Sequence, residues 1–217
     1  MSALEHVSVT PGDIVAVSLA PGPMWFDLVA ETWAAGAALL PVDHRLPPGE
    51  ASALLERAHP TVSLDAAGAR RIDGDAADPE IALIVHTSGT GGTPKLVQFD
   101  RRALDVAVAA SASALGASDE DRWLCCLPLA HVGGLLVLLR GVLLGAPVTI
   151  HQGFDAAAVA AERGSAFTSL VPTMLGRLVA AGAELSVFRA ILVGGAHLSP
   201  DLRASAERAG ARVASTS

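Results

Sequence analysis

The sequence predicts an α/β fold of layered, mostly parallel sheets with flanking helices. Two observations carry this. Short apolar runs alternate with segments of helical period along nearly the whole chain, the pattern of repeated strand–helix units. The breaks between them fall on glycine, proline and aspartate, which end one element and open the next. With 217 residues, 51% of them hydrophobic and 17% charged, the chain is long enough for a substantial core and too apolar to be disordered.

The elements follow in order. IVAVSL (14–19) reads as a strand. Residues 21–37 read as a turn and helix, with Phe26, Val29, Ala30 and Trp33 at helical spacing. ALLPVD (38–43) is a second strand. Pro47, Pro48 and Gly49 open a helix that runs to about residue 58. TVSLD (61–65) is a third strand, and 65–80 is a small, polar surface connection with room for a short strand. IALIVHT (81–87) is a strand that runs into a glycine-rich loop. Asp100 caps a helix over 101–115. A strand lies within 121–129, and a nearly all-apolar helix, expected to be buried, covers 133–145. APVTIH (146–151) is a strand, followed by a helix at 155–164 that Asp155 can cap. A strand at 165–172, a helix at 173–182 and a strand at 188–195 come next. A helix at 199–210 has Ser199 at the cap and Pro200 at its first position, and a strand begins at 211.

Composition excludes several classes. The net charge is −7 and the pI about 5.4, and no basic patch interleaves with aromatics, which argues against nucleic acid as a partner. The longest apolar stretch is interrupted by Arg140 and by glycines and falls short of a membrane span. No basic-then-apolar leader is visible, so a cytoplasmic location is expected. Cys125 and Cys126 are adjacent in a strand-like run and read as small buried hydrophobes rather than a disulfide or a metal site. The seven histidines show no close metal-ligand spacing, and no metal site is expected in this chain.

Three stretches fall at carboxyl ends of expected strands, where open α/β sheets hold ligands. They are the loop after Thr87, PLAHVGG (128–134) and VGGAHLSP (193–200). The first, within VHTSGTGGTPKL (85–96), combines glycines, hydroxyl side chains and Lys95, the only lysine in the chain. Glycines let backbone N–H groups curve around an anion, hydroxyls add donors, and lysine adds a mobile positive charge. Pro94 and Leu96 break the nucleotide-hydrolase pattern, and the dinucleotide fingerprint is absent. The plainer alternative is a flexible turn with a solvent lysine.

TSGTGGTPK (87–95) resembles the signature loop of the adenylate-forming superfamily, which includes acyl- and aryl-CoA ligases, luciferases and peptide-synthetase adenylation domains. Gly91 stands where the family has a second threonine, and Leu96 where it often has glycine. AGAALLPVDHRLP (35–47), LPLAHVGGL (127–135) and ILVGGAHLSP (191–200) resemble further family segments in the same order. Together they cover nearly the whole chain. LPLAHVGGL followed by Arg140 looks closest to the o-succinylbenzoate–CoA ligases of menaquinone biosynthesis.

The resemblance implies ATP-dependent activation of a small carboxylic acid as an acyl-adenylate, then transfer to coenzyme A, with Mg²⁺ required. It places Thr87, Ser88, Gly89, Thr90, Gly91, Gly92, Thr93 and Lys95 over the ATP phosphates. It places His131 at the acyl pocket as the catalytic candidate. Gly133, Gly134, Gly194, Gly195 and Ala196 line the substrate and adenine pocket. The glycines at 133 and 134 equally suit the start of a buried helix. Arg140 either forms a buried structural ion pair or anchors a second substrate carboxylate. The chain reaches Ser217 without the family's tyrosine-containing motif and has no Tyr. It is therefore expected to be an incomplete N-terminal AMP-binding domain, 1–217, with a subdivision into 1–80 and 81–217. On this expectation the C-terminal domain is missing or lies on a complementary chain, a homodimer is open, and the isolated fragment is inactive. Two other readings stay open: a non-catalytic or degenerate α/β partner-binding protein, and the adenylation domain of another acid-activating enzyme.

Overall fold

A computed structural model of the chain describes residues 3–87 and 95–215. The chain divides into two compact units, Met1–Ala107 with Leu129–Val132, and Val108–Pro128 with Gly133–Ser217. The expected subdivision at residue 80 is corrected by this: the strand after it pairs into the first sheet, so the boundary falls inside the helix at 101–115.

The first unit is built on a six-stranded sheet. Its strands are β1 (Ile14–Val17), β2 (Ala38–Pro41), β3 (Val62–Asp65), β4 (Gly68–Arg71), β5 (Ile81–Thr87) and β6 (Lys95–Asp100), in the order β4-β3-β1-β2-β5-β6. The central pairs β3–β1, β1–β2 and β2–β5 are parallel. Both edge strands, β4 and β6, run antiparallel to their neighbours. All four residues of β1 and of β2 are buried, as expected for parallel strands covered on both faces. Helix α1 (Met24–Ala34) buries Trp25, Leu28, Val29 and Thr32. Of the face expected from spacing only Val29 is buried; Phe26 and Trp33 are half-buried and Ala30 is exposed. Trp33 sits at the margin because its Nε1 donates to the Ala82 carbonyl at 2.7 Å and the Arg101 guanidinium stacks 4.2 Å above its ring. Helix α2 (Pro48–Ala58) begins on Pro48 and stops at His59 in a left-handed conformation, φ 46°. One side of the sheet closes over Ile14, Ala16, Ala38, Leu40, Val42, Leu54, Ala58 and Ile84.

The second unit carries a five-stranded, all-parallel sheet in the order β11-β10-β9-β7-β8. These are β7 (Trp123–Cys125), β8 (Val148–Ile150), β9 (Phe167–Leu170), β10 (Ala190–Val193) and β11 (Val213–Ser215). Helix α3 (Arg101–Leu115) leads into it, and its first turn is capped by Asp100, whose Oδ1 accepts from the Ala103 N–H. Helices α4 (Val132–Leu144), α5 (Ala156–Ala160), α6 (Pro172–Ala180) and α7 (Pro200–Arg208) connect the strands. Asp155 and Ser199 cap α5 and α7 through the N–H groups of Ala158 and Leu202, each such cap contributing ~1 kcal/mol. Leu124, Cys126, Val159, Leu170, Leu175, Leu178 and Ile191 form the centre of its main core.

Candidate functional site

In the first unit the parallel strands all end on one edge of the sheet, and the expected phosphate loop starts there. Thr87 closes β5 and Lys95 opens β6; the two are direct partners in the hairpin. Ser88, Gly89, Thr90, Gly91, Gly92 and Thr93 lie outside the described residues. Lys95 is exposed.

His131, in the segment that belongs to this unit, meets His86, the residue before Thr87. Their ring centroids are 5.9 Å apart with planes tilted by 48°. His86 is half-buried. Burial, then the neighbouring His131, pull its pKa below the usual imidazole value, while Asp43 opposes them weakly. Asp43 follows β2. Arg45 grips both its carboxylate oxygens, Nε to Oδ1 at 3.0 Å and Nη2 to Oδ2 at 2.8 Å, and holds its pKa down to about 2. His44 Nδ1 lies 3.7 Å from the same carboxylate. Sequence reasoning passed over His86 and Asp43. The signal for His86 was its place in the quoted loop, next to Thr87.

The second unit holds the remaining expected residues. Gly134 is buried, and a Cβ built on it would lie 2.5 Å from the Pro128 carbonyl oxygen and 2.7 Å from that of Leu127. A Cβ on Gly133 would touch Leu127 Cδ1 at 3.0 Å. The close approach that these glycines permit is therefore to the chain's own backbone at the start of α4. Gly194 follows β10 and donates to the Leu170 carbonyl at 3.2 Å. Gly195 has φ +78°, which disfavours any side chain, and both it and Ala196 are exposed.

Arg140 is 2% exposed. The ion pair expected of it is absent among the described residues. Instead Nη1 donates to the Leu136 carbonyl at 2.7 Å, Nη2 donates to Ser111 Oγ at 2.7 Å, and the guanidinium lies 4.0 Å above the Trp123 ring. Its Nε has no hydrogen-bond partner among the described residues. Burial lowers its pKa to about 10, which still leaves it charged at neutral pH.

Cys125 and Cys126 are buried, with Cys125 Sγ 3.5 Å from the Gly134 carbonyl. Burial pushes their thiols up to about 12 and about 11, so neither is a nucleophile. Among the described residues no group of three or more His, Cys, Asp or Glu gathers to hold a metal ion, and no helix is long and apolar enough to cross a membrane.

Comparison with known proteins extends this geometry. Residues 67–216 match the family of AMP-binding enzymes. A probable 2-succinylbenzoate–CoA ligase of Mycobacterium tuberculosis is 36% identical over 193 residues, covering 84% of this chain and 49% of that protein. The 2-succinylbenzoate–CoA ligase of Bacillus pumilus is 36% identical over 130 residues, 58% of this chain and 27% of that protein. The Bacillus subtilis o-succinylbenzoate CoA synthetase in complex with ATP and magnesium ion superposes with a TM-score of 0.82 at 26% identity, over 98% of this chain and 50% of that one. The same enzyme with the acyl-adenylate intermediate OSB-AMP gives 0.82 at 27%, with the same coverage. The chain thus spans about half the length of the Mycobacterium relative and of these structures. A family match across more than half of the sequence, carried on two sheets whose parallel strands end at the expected segments, shows that the chain belongs to the AMP-binding enzyme family.

Proposed function

We propose that the chain supplies the nucleotide- and acid-binding part of an ATP-dependent acid–CoA ligase that works through an acyl-adenylate, with 2-succinylbenzoate as the acid. The observation that carries this reading is the 36% identity to the Mycobacterium ligase over 84% of the chain. The geometry supports it in the arrangement of the β5–β6 hairpin. Thr87 and Lys95 are held as partners across the loop, so a strand-borne hydroxyl and a mobile cation flank the segment that would hold the ATP phosphates. His131 would sit at the reacting carboxylate. Gly194, Gly195 and Ala196 would present backbone to the adenine without obstructing it. Gly133 and Gly134 would shape the pocket indirectly, by letting α4 start against residues 127–128.

Arg140 would anchor a second carboxylate of the acid. Its charge has no carboxylate partner among the described residues, and an uncompensated buried charge is stabilised by an incoming anion. Mg²⁺ would arrive on the nucleotide phosphates, since no donor set gathers among the described residues. Coenzyme A would accept the acyl group. The protein would act in the cytoplasm.

Calorimetry tests this on the chain itself. ATP–Mg²⁺ and OSB-AMS, the compound bound in a structure of the E. coli MenE, are expected to bind, OSB-AMS more tightly than its counterparts made from other acids. Lys95→Ala should weaken ATP at least about tenfold, as loss of a charge-assisted phosphate contact does. An unchanged ATP affinity in that variant would remove the phosphate-loop assignment. Equal affinity for OSB-AMS and its counterparts would remove the acid.

A further inference from the structure

We propose that His86 is the positioning residue of this site: its ring sets the orientation of His131, and the two imidazoles together receive the negative charge of the ligand. This rests on the reading that His131 stands beside the acid.

Three observations carry it. The two rings are in contact, with centroids 5.9 Å apart and a 48° tilt. His86 is held by strand backbone: it is the penultimate residue of β5 and pairs with Leu96 of β6. His131 has no such frame, since it lies in the turn before α4 and is exposed. The ordered ring therefore orients the exposed one. The third observation is that His86 Nδ1 is buried with no hydrogen-bond partner among the described residues. A buried polar atom without a partner costs ~1–3 kcal/mol, and such atoms persist where a ligand completes them.

His131 faces His86 from the 129–132 segment. Asp43 faces it from the segment after β2, but that carboxylate is already matched by Arg45 and lies beside His44. Lys95 stands exposed at the start of β6. No unmatched anion among these favours protonation of His86, and burial and then His131 pull its pKa below the usual imidazole value. An anionic ligand against the pair supplies the missing counter-charge and favours protonation of His86.

Two measurements test this. The first follows the His86 imidazole by NMR across pH 5–8, with no ligand present. Replacing His131 with Ala should raise the His86 midpoint, because the neighbouring ring that pulls it down is gone. An unmoved midpoint overturns the pairing. The second measures OSB-AMS affinity between pH 5.5 and pH 8. Wild-type affinity should rise as pH falls, because the bound anion raises the proton affinity of the pair. His86→Phe keeps the ring bulk and loses the proton. It should bind more weakly than wild type at pH 8, having lost the Nδ1 contact, and show a flatter rise toward pH 5.5, so that the loss grows as pH falls. A uniform loss at every pH, as a merely structural residue would give, overturns the proposal, and so does an unchanged slope. If wild type fails to bind OSB-AMS at any pH, the functional reading falls, while the ligand-free titration still decides the pairing.

Discussion

A buried guanidinium ordinarily meets a carboxylate, and among the described residues Arg140 does not. It is satisfied by a carbonyl, a hydroxyl and the face of Trp123. Burying a charge without a counter-ion is costly, and replacing it with a hydrophobe of similar volume is often neutral or stabilising. Ser111 keeps a partner when Arg140 is removed, because its hydroxyl already donates to the Val108 carbonyl. Arg140→Met should therefore leave urea stability unchanged or raise it by ~1 kcal/mol, while lowering OSB-AMS affinity at least tenfold. A loss of stability with unchanged affinity would make Arg140 purely structural. Asp13 is the opposite case. It is 5% exposed, takes both terminal nitrogens of Arg71 at 2.8 and 3.0 Å, and accepts from the Thr61 hydroxyl and from the Thr10 N–H and hydroxyl. Burial alone would raise its pKa, but these donors outweigh burial and hold it well below the usual carboxylate range. A carboxylate with a depressed folded-state pKa stabilises the fold above its unfolded value, near 4, and loses that contribution as pH falls further. Asp13→Asn should cost ~2 kcal/mol at pH 7, the low side for a broken buried pair because Arg71 is half exposed. Urea denaturation at pH 7 and pH 3 should show the gap to wild type narrowing in acid, and a gap that widens would contradict the assignment.

At the scale of elements, what local chemistry dictates was readable in the chain. Fully apolar runs became buried parallel strands, and Asp100, Asp155 and Ser199 each cap the helix they precede. What depends on distant partners was not readable. KLVQFD follows the glycine loop with no turn signal of its own, and it becomes β6 only because β5 offers it an edge. The parallel pairing of β5 with β2 carries 81–87 into the first sheet and moves the boundary from residue 80. The buried face of α1 is displaced from the expected spacing because Trp33 finds its hydrogen bond at the margin, with Ala82. Gly74 looked like one more glycine in a surface connection, yet a Cβ there would lie 2.1 Å from the Pro60 carbonyl oxygen. At the candidate site, the motif residues could be named from the sequence, while the His86–His131 contact joins residues 45 positions apart and needed the fold.

At the scale of the whole molecule, the two adjacent thiols report on the integrity of the second unit. Cys125 and Cys126 are 1% and 0% exposed, and burial pushes their pKa values up to about 12 and about 11. At pH 8 the reactive thiolate is then scarce as well as shielded, so a disulfide reagent reaches it only when the core opens. The native chain should show no fast-reacting thiol in a DTNB assay at pH 8, and both should react at once in denaturant. Gly134→Ala should bring the slow reaction forward. A side chain there would drive α4 off the Leu127 and Pro128 carbonyls and disturb the Gly134 carbonyl that Cys125 contacts. Displacing packed backbone costs ~1–3 kcal/mol, and labelling through a global opening should speed up about five- to a hundredfold in proportion. Rapid labelling of the native wild type would show that the second unit opens without unfolding, whereas an unaccelerated Gly134→Ala would show that α4 can give way locally without loosening the sheet that carries the thiols.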